Sequence, residues 1–190
     1  MPAFVVVRHD SDVVGIVARL LDGDRRRLAS IGPYDARRNR FLAGRSALFA
    51  AAARLGESDI RIDARCPDCG AAHGRPTAQG AAEPLHLALA HAGDTAFAIA
   101  SRHPVGIDAE HLSVSEDRRA AIDAIAPGRG DPLRRWTAIE AVLKADGRGL
   151  RLSPDAVRVG MRGARFDGSR YRLTTAHARE CLVTVAERRR

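Results

Sequence analysis

Ten consecutive residues, Trp136 to Ala145, carry only two charges, Glu140 and Lys144, among Trp136, Thr137, Ile139, Val142, Leu143 and three alanines. A helix this apolar around its circumference must be covered on most sides. Its ends are marked as well. Asp131 can cap the first backbone N–H groups, Pro132 suits the first helical position, and Gly147 suits the residue just past the last turn. Glu140 and Lys144 stand four apart and share a face. On a broad polar stripe such a pair is an ordinary surface feature. Here there is no stripe, so a carboxylate and an ammonium in a largely buried setting need each other, a metal ion or a charged ligand.

Elsewhere the chain shows period-two patterns. Phe4 to His9 reads as a buried strand, and Val13 to Leu21 is an apolar run of unsettled type. Leu85, Leu87 and Leu89 alternate with His86, Ala88 and Ala90, a turn follows at 91–94, and Thr95, Phe97 and Ile99 alternate with alanines. A third strand runs V-G-I-D-A-E from Val105. Its Val105, Ile107 and Ala109 point one way, while Gly106, Asp108 and Glu110 point the other. Asp108 and Glu110 therefore project from one face about 7 Å apart along the strand. Two carboxylates so placed repel unless one is protonated or a cation lies between them. Mg²⁺ takes such oxygen ligands, although two solvated acids at a strand end explain the spacing equally well. Residues 111–130 read as a short helix and a loop, and short strands are expected around 157–161, 164–167, 170–174 and 181–186, with Asp167-Gly168 as a hairpin turn.

A second long helix is expected from Pro33 to Gly56, with Phe41, Leu48, Ala52 and Leu55 on one face and Arg37, Arg38, Arg40 and Arg45 in its first half. Such an arginine run is a solvated face in most proteins; in a phosphate-binding protein it grips phosphate oxygens through paired N–H groups. Cys66, Cys69 and His73 follow in CPDCGAAHGRP. They amount to half a zinc signature, three ligands where a site needs four, so a plain loop or tight turn is the expectation over zinc.

The charge of +8, from 31 Lys+Arg against 23 Asp+Glu, favours polyanionic or acidic partners. Arginine usage set by a GC-rich genome would give the same balance. No apolar run approaches a membrane span, the N-terminus lacks a signal-peptide pattern, and three cysteines are too few for a disulfide framework. A cytoplasmic protein with no membrane partner is expected.

The motifs V-G-I-D-A-E and W-T-A-I-E-A-V-L-K-A-D-G-R-G-L resemble the paired signatures of the 4′-phosphopantetheinyl transferase superfamily. Those signatures are a G-[I/V]-D-[I/V]-E strand and a W-[S/T]-x-K-E-[A/S]-x-x-K helix, usually followed by G-x-G-L. Order and separation are similar to the larger, pseudo-dimeric, surfactin-synthetase-activating type. FLAGR, HGRP (for the family's G-K-P) and LALAHAGD (for its S-H-S-G-D) extend the resemblance over about residues 33 to 153.

The resemblance implies an α+β fold of two similar halves, residues 1–102 and 103–190. Each half would be a helix on a small antiparallel sheet, with coenzyme A in the cleft between them. It implies transfer of 4′-phosphopantetheine from coenzyme A to a serine of an apo acyl or peptidyl carrier protein, releasing 3′,5′-ADP. By the same resemblance Asp108, Glu110 and Glu140 hold Mg²⁺ (or Mn²⁺), Glu110 directly or through water. Glu140 serves as base and Lys144 neutralises the pyrophosphate. His91 and Arg75 contact the diphosphate and nearby phosphates, and Arg37 or Arg38, with Arg45, faces the 3′-phosphate. A monomer is expected.

Departures from the family pattern are Ile139 where a lysine usually precedes the glutamate, and Ala90 and Ala92 in place of serines around His91. Ile139 leaves open a catalytically inactive coenzyme A-binding relative. A basic nucleic-acid-binding module is the rival from another class, but aromatic content is only 4%, with no cluster to stack bases.

Overall fold

The computed structural model describes residues 2–9, 15–148 and 152–189. Val13 and Val14 of the first apolar run, Gly149 and Leu150 of the turn after the long helix, and Arg190 lie outside the described residues. The chain divides into two compact units, residues 1–102 and 103–190. Each unit contains one five-stranded antiparallel sheet, and the fold is α+β in two similar halves.

The first unit contains β1 (Ala3–Arg8), α1 (Asp22–Ala29), α2 (Ala36–Ala53), β2 (Arg61–Asp63), β3 (Thr77–Gln79), β4 (His86–Ala92) and β5 (Thr95–Ser101), in the sheet order β1-β5-β4-β3-β2. Every residue of β5 is buried, as befits a strand paired on both sides. On the α2 face of the sheet the cluster joins Leu87, Ala96, Ala98 and Ala100 to Ala43, Ala47, Leu48 and Ala51 of the helix. Small residues on both partners allow a close approach. α2 begins after Asp35, whose carboxylate accepts from the Arg37 N–H at 2.8 Å. Pro33 does not open this helix; it lies ahead of the cap, where Asp35 N–H donates to the Gly32 carbonyl. Four elements of this unit escaped the sequence pattern: α1, the 3₁₀ turn at Ile16–Arg19 and the short strands β2 and β3. α1 has a single large apolar residue, Leu28. The run Ile16–Arg19 forms a 3₁₀ turn.

The second unit contains β6 (Val105–His111), α3 (Glu116–Ile125), α4 (Pro132–Asp146), β7 (Arg158–Val159), β8 (Gly163–Phe166), β9 (Ser169–Ala178) and β10 (Cys181–Arg188), in the sheet order β6-β10-β9-β8-β7. The three strands read together from residues 85 to 110 are thus shared between two sheets, β4 and β5 in one and β6 in the other. The turn after β4 is shorter than expected, since His91 and Ala92 remain in the strand.

α4 has the caps its sequence indicates. The Asp131 carboxylate accepts from the Leu133 and Arg134 N–H groups, and Gly147 takes φ +95° while its N–H reaches the Leu143 carbonyl. The helix buries Ile139, Ala141, Val142, Leu143 and Ala145 against Ala164, Phe166, Tyr171 and Ala186 of the sheet. Asp167 and Gly168 both have positive φ, the requirement of a two-residue hairpin turn. Arg179 and Glu180 make the β9–β10 hairpin with positive φ and no glycine, which is why the sequence did not mark it. Among the described residues no helix is long and apolar enough to cross a membrane.

Candidate functional site

In the second unit, β6 meets α4 backbone to backbone. A Cβ built on Gly106 would lie 2.0 Å from the Ala141 carbonyl oxygen and 2.4 Å from the Ala145 nitrogen, so no larger residue fits without moving the helix. Side chains alternate along a strand, and Asp108 and Glu110 therefore emerge on the Gly106 side, toward α4. The strand register agrees. Asp108 lies opposite Thr184, whose hydroxyl hydrogen-bonds that of Thr137 on α4 at 2.8 Å. Glu140 and Lys144 flank the stripe of Thr137, Ala141 and Ala145 that faces the sheet, and both are half-buried.

This arrangement brings three acids and a lysine into one electrostatic neighbourhood. Lys144 Nζ donates to Asp108 Oδ1 at 2.7 Å, with the Asp108 side chain only 10% exposed. Lys144 thus pairs with the strand acid rather than with Glu140, its neighbour four residues back. Glu110 Oε1 accepts from Arg118 Nη2 of α3 at 2.7 Å. Glu140 Oε1 is buried with no hydrogen-bond partner. Burial pushes the Asp108 carboxyl up from its ordinary value; Lys144 opposes this, and the charge of Glu110 adds to it. Glu140 is raised too, first by burial and then by Asp108 and Glu110, against the pull of Lys144. Carboxylates pressed toward protonation by burial and by one another mark a place short of positive charge.

The three acids do not close into a single ligand set. Among the described residues, the one trio of His, Cys, Asp or Glu whose ligand atoms all lie within 4.8 Å of one another is Cys66, Cys69 and His73. Arg118 holds Glu110, and Lys144 holds Asp108. Ile139, at the position of the missing lysine, is 3% exposed and belongs to the core between α4 and its sheet.

In the first unit, a pocket of about 640 Å³ is lined by Arg27, Arg37, Arg40, Arg45, His73 and His91, with Ile31, Phe41 and Leu89 as apolar surface. Its size and its mixture of apolar wall and convergent cations suit a phosphorylated small molecule. Gly44 of α2 creates room for His91: a Cβ there would stand 3.0 Å from His91 Nε2. His91 Nδ1 in turn lies 3.1 Å from His9 Nε2.

The arginines predicted from sequence divide in their placement. Arg37 lines the pocket, while Asp35 engages its guanidinium at the helix start. Arg38 instead donates to the Leu28 carbonyl at 3.2 Å, because its position on α2 faces α1. Arg75 is absent from the lining, though Gly74 and Pro76 on either side of it take part. Arg45 reaches the wall, but its Nε and Nη2 donate to Asp24 at 2.6 and 2.7 Å, and both side chains are nearly fully buried. It is therefore a structural cation first. Arg27 was not marked by the sequence, while Arg40 stood in the arginine run without an assigned role and His73 was weighed only as a zinc ligand. Arg27 sits on the unrecognised helix α1, where burial and the neighbouring Arg45 charge lower its pKa. Compared with known proteins, the chain matches no family model and no curated protein sequence.

Proposed function

We propose that this chain is a 4′-phosphopantetheinyl transferase, moving the phosphopantetheine arm of coenzyme A to a serine hydroxyl of an apo carrier protein and releasing 3′,5′-ADP. The observation that carries the proposal is the face of β6 bearing Gly106, Asp108 and Glu110, pressed against the helix bearing Glu140 and Lys144. Transfer of a phosphoryl group from a polyanion requires positioning and charge neutralisation rather than a covalent nucleophile. The donor set fits a hard divalent cation. Mg²⁺ takes one or two carboxylates and fills its remaining positions with water and substrate phosphate. The buried, unpartnered Oε1 of Glu140 and the raised carboxyls of Asp108 and Glu140 would supply such a pair, with Glu110 directly or through water as a third. Bound there, the cation would draw charge from the pyrophosphate oxygens.

The chain's own groups divide the remaining work. The serine oxygen forms a bond to the phosphorus bearing the pantetheine arm, and the bond from that phosphorus to the oxygen of 3′,5′-ADP breaks. Glu140 accepts the serine proton, directly or through a water; a carboxyl raised from its ordinary value is better matched to that task near neutral pH. Lys144, on the opposite side of the balance, offers its ammonium to the 5′-phosphate of the departing 3′,5′-ADP. In the first unit, the pocket wall of Arg37 and Arg40 with Arg27, rather than Arg38, suits a phosphorylated nucleoside such as the adenosine 3′-phosphate portion of coenzyme A. Their convergence on a concave pocket favours a small polyphosphate over nucleic acid, which is read along an extended face.

Incubation of the protein with coenzyme A, Mg²⁺ and a panel of apo carrier domains, read by intact mass, tests this directly. A mass gain equal to phosphopantetheine on at least one carrier, lost in Asp108→Ala and Glu140→Gln, is the expected result. No gain on any carrier, or equal gain with both variants, refutes the proposal.

A further inference from the structure

The loop from Cys66 to Gly74 is built as a closed knuckle in the first unit. Cys66 N–H donates to the Ala71 carbonyl at 2.8 Å, Gly70 N–H to the Cys66 carbonyl at 2.9 Å, and Gly74 N–H to the Ala64 carbonyl at 2.6 Å. Gly70 has φ +72°, and a Cβ on Gly74 would meet the Arg65 carbonyl oxygen at 2.4 Å, so both glycines are needed for the loop to cross itself. The result is that Cys66, Cys69 and His73, spread over eight residues of sequence, present two sulfurs and a ring nitrogen all within 4.8 Å of one another. Cys69 Sγ lies 2.9 Å from His73 Nε2. In a tetrahedral zinc site these two atoms would stand roughly 3.5 Å apart, a small opening of the present contact.

We propose that these three side chains form a zinc site, with water or a ligand anion as the fourth donor. Two thiolates and an imidazole are a soft, nitrogen–sulfur set that selects Zn²⁺ over Mg²⁺. The backbone N–H groups of Cys69 and Asp68 point at the Cys66 sulfur, the polarity that a metal-bound thiolate keeps. Cys66 is buried while Cys69 and His73 are exposed, so the fourth position opens outward. The site also touches the basic pocket. His73 is part of its wall, and the Ala72 carbonyl accepts a hydrogen bond from Arg27, another wall residue. A bound ion would therefore stiffen the segment that places both. The metal site stands independently of the transfer reaction, since none of its ligands belongs to the acidic face of the second unit.

The full-length protein, purified under reducing conditions and stripped with chelator, is titrated with Co²⁺ and then with Zn²⁺. One equivalent of Co²⁺ should give thiolate-to-metal charge transfer and strong visible bands of four-coordinate geometry, and Zn²⁺ should displace it. Cys69→Ser and His73→Ala, both at exposed positions that tolerate substitution, should each lose the stoichiometric spectrum. Cys181→Ser should keep it. Zinc should raise the thermal midpoint of the wild type and leave that of Cys69→Ser unmoved. The absence of charge transfer in the wild type, or its survival in the Cys69→Ser/His73→Ala double variant, overturns the proposal.

Discussion

Replacing Arg45 by methionine removes a guanidinium whose two N–H groups bind Asp24 at 2.6 and 2.7 Å, in a pair only 6% and 3% exposed. Two unit charges about 4 Å apart interact by about 4 kcal/mol at the effective dielectric suited to protein interiors. Removing one partner also strands the other without water, and measured losses for such cuts are about 3–5 kcal/mol. For a chain of this size each kcal/mol moves the midpoint by about 2–4 °C, so a fall of roughly 10 °C is expected. Stacking of Arg45 on Phe41, at 5.0 Å, is retained in part by the methionine. The double variant Asp24→Leu/Arg45→Met should recover most of the loss, because an apolar pair of similar volume replaces a buried ion pair at little cost. Thermal and urea unfolding followed by circular dichroism measure both. A loss below about 1 kcal/mol in the single variant, or a double variant no better than the single, would refute the assignment of Arg45 to the framework. Weakened 3′,5′-ADP binding with unchanged stability would return it to the ligand.

Two further outcomes follow from the acidic face. Glu140→Gln removes a carboxylate that burial and its acidic neighbours raise above its unfolded value. The wild type holds this proton more tightly folded than unfolded. Its benefit is therefore complete below the ordinary carboxyl range, near pH 4.3, and fades as pH rises through the folded value. In metal-free buffer the variant should gain stability over the wild type as pH goes from about 4 to neutral, and parallel unfolding curves across that range would contradict the burial argument. Gly106→Ala places a methyl 2.0 Å from the Ala141 carbonyl and must push β6 and α4 apart. A loss near 3 kcal/mol by denaturant midpoint, with transfer activity falling alongside, is expected, and a wild-type midpoint would show that the contact relaxes freely.

Much of the second unit was legible in the sequence. The apolar run of α4 with its Asp131 and Gly147 ends, the alternation of β6 and the Asp167-Gly168 turn each follow from local chemistry that survives packing. The side of β6 that meets α4 was not legible, because alternation groups Gly106 with Asp108 and Glu110 without saying what they face. Ile139 shows the same limit: by motif it occupied a cation's place, and by packing it is core.

In the first unit the sequence indicated a helix rich in arginine, but which guanidiniums are free for a ligand depended on partners far along the chain. Asp24 lies on an eight-residue helix too polar to register as one, and it takes up Arg45; the Leu28 carbonyl takes up Arg38. The Cys66, Cys69 and His73 set appeared as three ligands in a row with no fourth. Only the turn closed by Gly70 and Gly74 brings them together. Periodicity and caps are properties of neighbouring residues, and the amino-acid order determined them. Pairing of buried charges and convergence of ligand atoms depend on residues 20 or more positions apart or on a left-handed turn. Those were decided by the tertiary structure, where the cost of leaving a buried charge unpaired selects the partner.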